Sequence, residues 1–194
     1  MSENYQMLVI GCSAGGLQAS REILSALPKQ FSLSVIIAQH LAANAESMLV
    51  ELLADRCALP VEEIQDKESI RPGRVYVIPP DYHAFVERDL SVSLSQDERI
   101  NYARPSIDVL FESAAEALGD KVIALVLTGA NQDGAQGAKS IRERGGYVIV
   151  QSPETAEART MPEAAIRLAY PQQVVPLHEI TIALLRKIGG KKPC

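Results

Sequence analysis

Short apolar runs alternate along the chain with longer segments whose apolar residues recur at helical spacing. The short runs are rich in β-branched residues, and they predict buried parallel strands at Met7–Ile10, Ser34–Ala38, Val122–Leu127 and Tyr147–Gln151. The longer segments predict helices at Leu17–Leu27, Ala45–Ala54, Ser106–Leu118, Ala135–Arg144, Pro162–Leu168 and Thr181–Ile188. This alternation is typical of an α/β fold.

The pattern changes between Pro60 and Leu94, where only short β-like pieces occur. They lie at Val61–Ile64, Arg74–Ile78, His83–Glu87 and Leu90–Leu94, with proline-containing turns between them. We expect antiparallel strands here, added to a parallel sheet. The predicted fold is a single doubly wound, mostly parallel sheet flanked by helices, in one domain over residues 1–194 with a core of about 7–182.

Three predicted strands end in residues that carry chemistry. Ser13 lies in the turn Gly11-Cys12-Ser13-Ala14-Gly15-Gly16 after the first strand, His40 follows the second, and Asp133 follows the strand at Val122–Leu127. Because the carboxyl ends of parallel strands form the ligand crevice, these side chains are expected at one edge of the sheet. They would supply a nucleophile, a general base and a carboxylate that orients the base. The same glycine turn could instead hold a phosphate.

Composition narrows the class of protein. The chain has 194 residues, a net charge of −5 and 47% hydrophobic residues, with no apolar run long enough for a membrane span. Its acidic balance argues against nucleic acid as a partner. Three scattered cysteines and the lack of a signal peptide suit the cytoplasm, and the spacing of cysteines and histidines predicts no metal site.

Several motifs together resemble the catalytic domain of the chemotaxis-receptor protein-glutamate methylesterases, the CheB family. Each is short, but their order and spacing are specific, and they extend over nearly the whole chain. They are Ile10-Gly11-Cys12-Ser13-Ala14-Gly15-Gly16, Ala38-Gln39-His40, Pro72-Gly73-Arg74-Val75-Tyr76-Val77-Ile78-Pro79-Pro80, Arg104-Pro105-Ser106-Ile107-Asp108-Val109-Leu110-Phe111, Leu127-Thr128-Gly129, Asp133-Gly134-Ala135 and Met161-Pro162-Glu163-Ala164-Ala165.

The resemblance implies hydrolysis of glutamate γ-methyl esters on methyl-accepting receptors, with release of methanol, and in some members deamidation of receptor glutamines. It implies that Ser13, His40 and Asp133 form the catalytic triad, and that the backbone amides of Ala14 and Ala130 form the oxyanion hole. It implies no cofactor. The partners it implies are the methylated cytoplasmic domain of a receptor and, further, a cognate receptor methyltransferase or a separate regulator, without membrane insertion.

The sequence departs from the family pattern at several positions. The family usually has threonine at the position of Ala14 and glycine at that of Asn131. The six residues before the first strand leave no room for the family's receiver domain, so we expect none in this chain. After His40 the family commonly has an aromatic-rich loop, whereas Leu41–Glu46 contains no aromatic residue, so we expect weak affinity for classical chemoreceptor helices.

Other residues near the predicted site have two interpretations each. Gln39, Arg104 and Gly129 are candidates for the substrate groove, although Gln39 and Arg104 equally suit bracing roles and Gly129 the shaping of a turn. Cys12, next to Ser13 along the strand, is expected to face the core, because adjacent strand residues point in opposite directions. His83 is expected to be structural.

Two functions from other classes stay open at this stage. A nucleotide-binding module would use the glycine turn for phosphate, but the glycines at positions 11, 15 and 16 do not match the dinucleotide fingerprint. A catalytically silent receptor-binding domain would keep the fold without the reaction. The presence of Ser13, His40 and Asp133 argues against that second alternative.

Overall fold

The computed structural model describes residues 5–40 and 48–189. The predicted alternation of strands and helices is observed there. The strands are β1 (Met7–Cys12), β2 (Ser34–Gln39), β3 (Val61–Glu63), β4 (Glu68–Ser69), β5 (Val75–Val77), β6 (His83–Val86), β7 (Ser91–Ser95), β8 (Val122–Val126), β9 (Tyr147–Gln151) and β10 (Gln173–Val175). The helices are α1 (Gly16–Ser25), α2 (Leu49–Ala54), α3 (Ile107–Leu118), α4 (Ala135–Glu143), α5 (Thr160–Ala169) and α6 (Ile180–Gly189).

Most predicted elements are found within a few residues of their expected bounds. The predicted start of the second helix at Ala45 lies outside the described residues, as does the loop Leu41–Glu46. Four elements were not predicted: β4, β10 and the short 3₁₀ helices Gly119–Lys121 and Leu177–Glu179. No helix within residues 5–40 and 48–189 has the length and apolar character that a membrane crossing requires.

The main sheet has the order β10-β9-β8-β1-β2-β5-β3, and all of its strand pairs are parallel. Its central strands are buried on both faces. Alternate residues of β1 pack into two separate cores, with Met7 and Val9 toward α3, α4 and α5, and Leu8 and Ile10 toward α1, α2 and α6. Helices therefore cover both faces, which confirms the predicted doubly wound architecture.

The middle of the chain corrects one part of the prediction. The strands β3 and β5 are not antiparallel additions but join the main sheet as parallel strands beside β2. Only β4, β7 and β6 form the small antiparallel sheet. The difference follows from burial: β5 is buried throughout, as a strand within a covered parallel sheet must be, whereas Ser91–Ser95 alternates serine with apolar residues and exposes one face.

The strand order reverses between β1 and β8. From β1 the chain builds outward through β2 on one side, and from β8 it builds through β9 and β10 on the other. Such a switch point leaves a crevice at the carboxyl ends of the two central strands. Ser13 follows β1, His40 follows the adjacent β2, and Asp133 lies between β8 and α4, so all three are delivered to this edge.

Candidate active site

Ser13 occupies a tight turn between β1 and α1. Its backbone N–H donates to the Thr128 carbonyl over 3.0 Å, and its own carbonyl accepts from the Gly16 N–H over 2.8 Å. Gly15 has a φ of 75°, and a Cβ there would lie 2.7 Å from the Cβ of Glu157. Glycine is therefore required to bend the chain at this point. The serine side chain is half-buried at the open end of the turn.

The side chain of Gln39 fixes the Ser13 turn to the end of β2. Its Nε2 donates to the Ser13 carbonyl over 2.9 Å and to the His40 carbonyl over 3.2 Å, while its Oε1 accepts from the Cys12 thiol over 3.0 Å. Cys12 and Gln39 are the last paired residues of the two strands, so Ser13 and His40 lie one step beyond them on neighbouring strands. Gln39 is buried, and its contacts are those of a bracing residue.

His40 makes one hydrogen bond through each ring nitrogen. Its Nε2 lies 2.8 Å from Oδ2 of Asp133, and its Nδ1 lies 3.3 Å from Nδ2 of Asn131. The Asp133 N–H donates to Oδ1 of Asn131, which turns the amide nitrogen of that side chain toward His40. Because an amide nitrogen only donates, Nδ1 is the acceptor and Nε2 carries the ring proton that Asp133 accepts.

The Nδ1 atom of His40 is therefore the nitrogen available to act as a base. The sequence predicts Ser13 near one ring nitrogen and Asp133 at the other. The structure has Asp133 at Nε2, but Asn131 rather than Ser13 is hydrogen-bonded to Nδ1. Among the described residues, the Ser13 hydroxyl makes no hydrogen bond. Loose geometry at this contact is common before substrate binds.

Asp133 is fully buried at the N-terminus of α3, and four donors meet its carboxylate. Oδ2 accepts from His40 and from the Ile107 N–H over 2.7 Å, and Oδ1 accepts from the Ser106 hydroxyl over 3.0 Å and the Asp108 N–H over 3.1 Å. Burial alone would raise the pKa of Asp133, but the hydrogen bonds from His40 and the two amides outweigh it and lower that pKa. The group is therefore held as a carboxylate.

A second layer of contacts holds this end of α3 in place. Buried His83 accepts the Ser106 N–H at Nδ1 over 3.1 Å and faces the Glu98 carbonyl with Nε2, and burial lowers its pKa. Arg104 pairs with Asp81 over 2.8 Å and donates to two backbone carbonyls of the preceding loop. The contacts of both side chains are structural, as expected for His83, and a contact of Arg104 with substrate stays a prediction.

Several backbone amides in the loops after β1 and β8 have no acceptor within the described residues. The N–H groups of Ala14 and Ala130, which the family resemblance assigns to the oxyanion hole, are among them, and both residues are exposed. The hydroxyl of Thr128 joins the two loops, because it donates to the Ala14 carbonyl over 2.8 Å and accepts from the Ala158 N–H over 2.8 Å. An oxyanion hole requires backbone N–H groups that are free to donate to the substrate, and both of these groups are free.

Two neighbours of the site are packed inside the protein. Cys12 is fully buried, as expected, and burial raises the pKa of its thiol to about 12, so it does not compete with Ser13 as a nucleophile. Gly129 is also buried, and a side chain at this position would collide with Met161. Its N–H donates to the Ala158 carbonyl, and its carbonyl accepts from the Met161 N–H. Gly129 shapes the loop, and its predicted contact with substrate stays a prediction.

Comparison with known proteins gives the site its context. The sequence profile described as CheB methylesterase matches residues 8–184. The chain belongs to the CheB methylesterase family. The crystal structure of the Thermotoga maritima CheB methylesterase catalytic domain superposes with a TM-score of 0.89 at 33% identity, covering 94% of this chain and 98% of that one. The fold and family expected from the sequence motifs are therefore confirmed.

Relatives in the CheB family differ in length. A protein of Leptospira interrogans, named provisionally as a protein-glutamate methylesterase/protein-glutamine glutaminase, is 46% identical over 94% of this chain and 95% of its own length. A protein of Trichodesmium erythraeum that carries the same name without the qualification is 34% identical over 95% of this chain. The chain spans only 53% of that second relative, so it matches about half of the longer family members.

Proposed function

We propose that this CheB-family chain hydrolyses the γ-methyl esters of glutamate residues on methyl-accepting receptor proteins, with Ser13 as nucleophile, His40 as general base and Asp133 as the carboxylate that orients the base. The observation that carries the proposal is the 2.8 Å hydrogen bond between His40 and the buried Asp133, at the sheet edge where Ser13 ends the neighbouring strand. A serine esterase needs this relation between its base and its carboxylate.

In the first half of the reaction, Ser13 Oγ attacks the ester carbonyl carbon while its proton passes to Nδ1 of His40. The negative charge that develops on the carbonyl oxygen is stabilised by the free N–H groups of Ala14 and Ala130. The imidazolium then gives its proton to the departing methoxy oxygen, and methanol leaves. Asp133 stabilises the charged ring through Nε2 throughout.

In the second half, a water molecule repeats the attack on the Ser13 acyl group. Its proton passes to Nδ1 of His40 and then to Ser13 Oγ as the acyl bond breaks. The balance is one ester and one water consumed, and one glutamate and one methanol formed. No step requires a metal or a cofactor.

Glutamine deamidation is the second activity that the family relatives support. Both relatives are named for a glutaminase activity beside the esterase activity. The same acyl intermediate would form from a glutamine side chain, with ammonia leaving in place of methanol. The proton that His40 holds on Nδ1 would then pass to the amide nitrogen, so the site needs no additional catalytic group.

The partner we propose is the methylated cytoplasmic part of a receptor. We also expect one of two further partners, a methyltransferase that acts on the same receptor or a separate regulator. We expect the natural receptor to be a protein that carries glutamate methyl esters on a helical surface.

The direct test is methanol release from methylated receptor fragments. The native protein should release methanol at a steady rate, and Ser13→Ala should reduce that rate to the level without enzyme. Ser25→Ala is a matched control, because Ser25 lies at the end of α1 and its hydroxyl contacts only the Glu22 carbonyl among the described residues. If native protein released methanol no faster than the sample without enzyme, the chain would be a receptor-binding domain without esterase activity. Equal rates of native protein and Ser13→Ala above that level would show that another residue is the nucleophile.

A further inference from the structure

Asn131 holds the nitrogen atom of His40 that the proposed reaction requires. Its Nδ2 donates to Nδ1 over 3.3 Å, and its Oδ1 accepts the Asp133 N–H over 3.2 Å. The Asn131 side chain therefore contacts both the ring of His40 and the backbone of Asp133. It is half-buried, in the loop that also contains Ala130.

In the proposed reaction, Ser13 needs the lone pair of His40 that Asn131 occupies. A neutral imidazole has a single acceptor nitrogen, and in His40 this is Nδ1, because Nε2 donates its proton to Asp133. The Asn131 amide occupies that acceptor, whereas the Ser13 hydroxyl has no hydrogen-bond partner within the described residues. The proposed base therefore has its acceptor nitrogen occupied, whereas the proposed nucleophile has no hydrogen-bond partner among the described residues.

We propose that Asn131 is a positioning residue that occupies Nδ1 of His40 in the free protein and yields this position to Ser13 when an ester binds. This inference rests on the proposed function. Because the Asn131 amide donates to Nδ1, it stabilises the tautomer of the neutral ring that carries its proton on Nε2. It also withholds the base from Ser13 until substrate is present.

The charged and titratable groups around His40 set the background for the test. Asp133 contacts the ring directly. Behind Asp133 lie Asp108 and Glu112 on α3, His83 on β6 and Arg104 in the loop before α3. A charge introduced at position 131 acts at Nδ1, the ring nitrogen that does not contact Asp133.

The test compares two substitutions with opposite expected effects on labelling of Ser13 by a fluorophosphonate. Asn131→Ala frees Nδ1, and the labelling rate of the free protein should rise about two- to tenfold, the range expected for the loss of one competing hydrogen bond. Asn131→Asp keeps an acceptor for the Asp133 N–H but places a carboxylate at Nδ1. Labelling at neutral pH should fall severalfold, by up to about tenfold, and the rising limb of its pH profile should move upward by about one unit.

Gln132→Ala and Gln132→Glu are matched controls for size and for charge. Gln132 is the exposed neighbour, and its side chain makes no hydrogen bond within the described residues. Both variants should label at the native rate. General damage to the loop would slow labelling in both Asn131 variants, so the opposite signs identify competition for Nδ1.

The ¹⁵N spectrum of the His40 ring gives a readout that does not depend on activity. In native protein with a neutral ring, the proton should be on Nε2, and Nδ1 should show the shift of a hydrogen-bond acceptor that changes in Asn131→Ala. An unchanged Nδ1 signal, or slower labelling in Asn131→Ala, would overturn the inference alone. Labelling of Ser13 in none of the proteins would overturn the proposed function and this inference with it.

Discussion

The two halves of the candidate site are built differently. On one side, the buried Asp133 carboxylate receives hydrogen bonds from His40, Ser106, Ile107 and Asp108. On the other side, the Ser13 hydroxyl and the Ala14 and Ala130 N–H groups have no partner within the part of the chain that the structure describes. The first half is complete before substrate arrives, and the second half is left open.

In the reaction that we propose, this difference assigns a task to each half. The base and its carboxylate must keep one orientation and one protonation pattern, so burial and the α3 N-terminus fix them in advance. The nucleophile and the oxyanion donors must exchange solvent for an ester, so they lie exposed or half-exposed on rigid turns. The following predictions break one half or the other.

The largest effects are expected where the two halves meet. Ser13→Ala and His40→Ala should each lower the rate of methanol release by more than about 10³-fold, and the double variant should be little worse, because the groups act as a unit. Steady-state rates, with circular dichroism to verify folding, measure this. Multiplied losses in the double variant would show that the two residues act independently.

Asp133→Asn alters the half of the site that contains the buried carboxylate. It should lower kcat by about 10²- to 10³-fold, a smaller decrease than that expected for Ser13→Ala. All four groups around Asp133 are donors, and an amide can turn only one oxygen toward them. The variant should also lose about 1–3 kcal/mol of unfolding free energy from unsatisfied buried groups. Activity above one tenth of the native value would contradict this role.

Ser106→Ala should have a moderate effect on both activity and stability. The Ser106 hydroxyl donates to Asp133 and accepts from the Val109 N–H as the α3 N-cap, over 3.4 Å. Its loss should cost about 1 kcal/mol of unfolding free energy and reduce kcat severalfold. Ser113→Ala, in the same helix but bonded to Leu110 and Val86, is the control and should affect stability without affecting kcat.

The last prediction concerns stability rather than activity, and it is the pH dependence that Asp108 contributes. Burial, with the neighbouring Asp133 carboxylate, raises the pKa of Asp108 to about 7, against the opposing hydrogen bond from the Gly137 amide. An unfolded aspartate titrates near pH 4, so between roughly pH 4 and 7 the folded state holds a proton that the unfolded state releases. The contribution of Asp108 to stability therefore falls as the pH rises through this window.

Asp108→Asn removes this titration. From pH 5 to pH 8, its unfolding free energy should decline less than that of native protein, by on the order of 1–2 kcal/mol. Denaturant titrations at a series of pH values measure the slopes, and Asp120→Asn, at an exposed position, is the control. Parallel slopes for native protein and Asp108→Asn would show that Asp108 does not retain its proton in the folded state.

Much of the fold was predictable because the spacing of apolar residues that distinguishes strands from helices can be read within short segments of the sequence. The runs that became β1, β2 and β8 are apolar without interruption, and residues after them meet at one edge by the rule for parallel sheets. The parallel pairing of β3 and β5 was missed, since short strands reveal their partners only in the packed sheet. The unbroken run Val75-Tyr76-Val77, which does not alternate with polar residues, was the available sequence signal.

The contacts that support the site were harder to predict. The helix that begins near Ser106 was predicted, but the meeting of the α3 N-terminus with Asp133 depends on tertiary packing between residues far apart in sequence. The contact of Asn131 with His40 was also missed. Its only sequence signal was an asparagine where the related family usually has glycine.

The most direct test of the account is to locate the serine that His40 activates. Native protein and His40→Ala would be treated with a fluorophosphonate, and the modified residue identified by peptide mass mapping with its rate of formation. We expect one adduct, on Ser13, formed at least about 10²-fold more slowly in His40→Ala. An adduct on another serine, or equal rates in both proteins, would contradict the account.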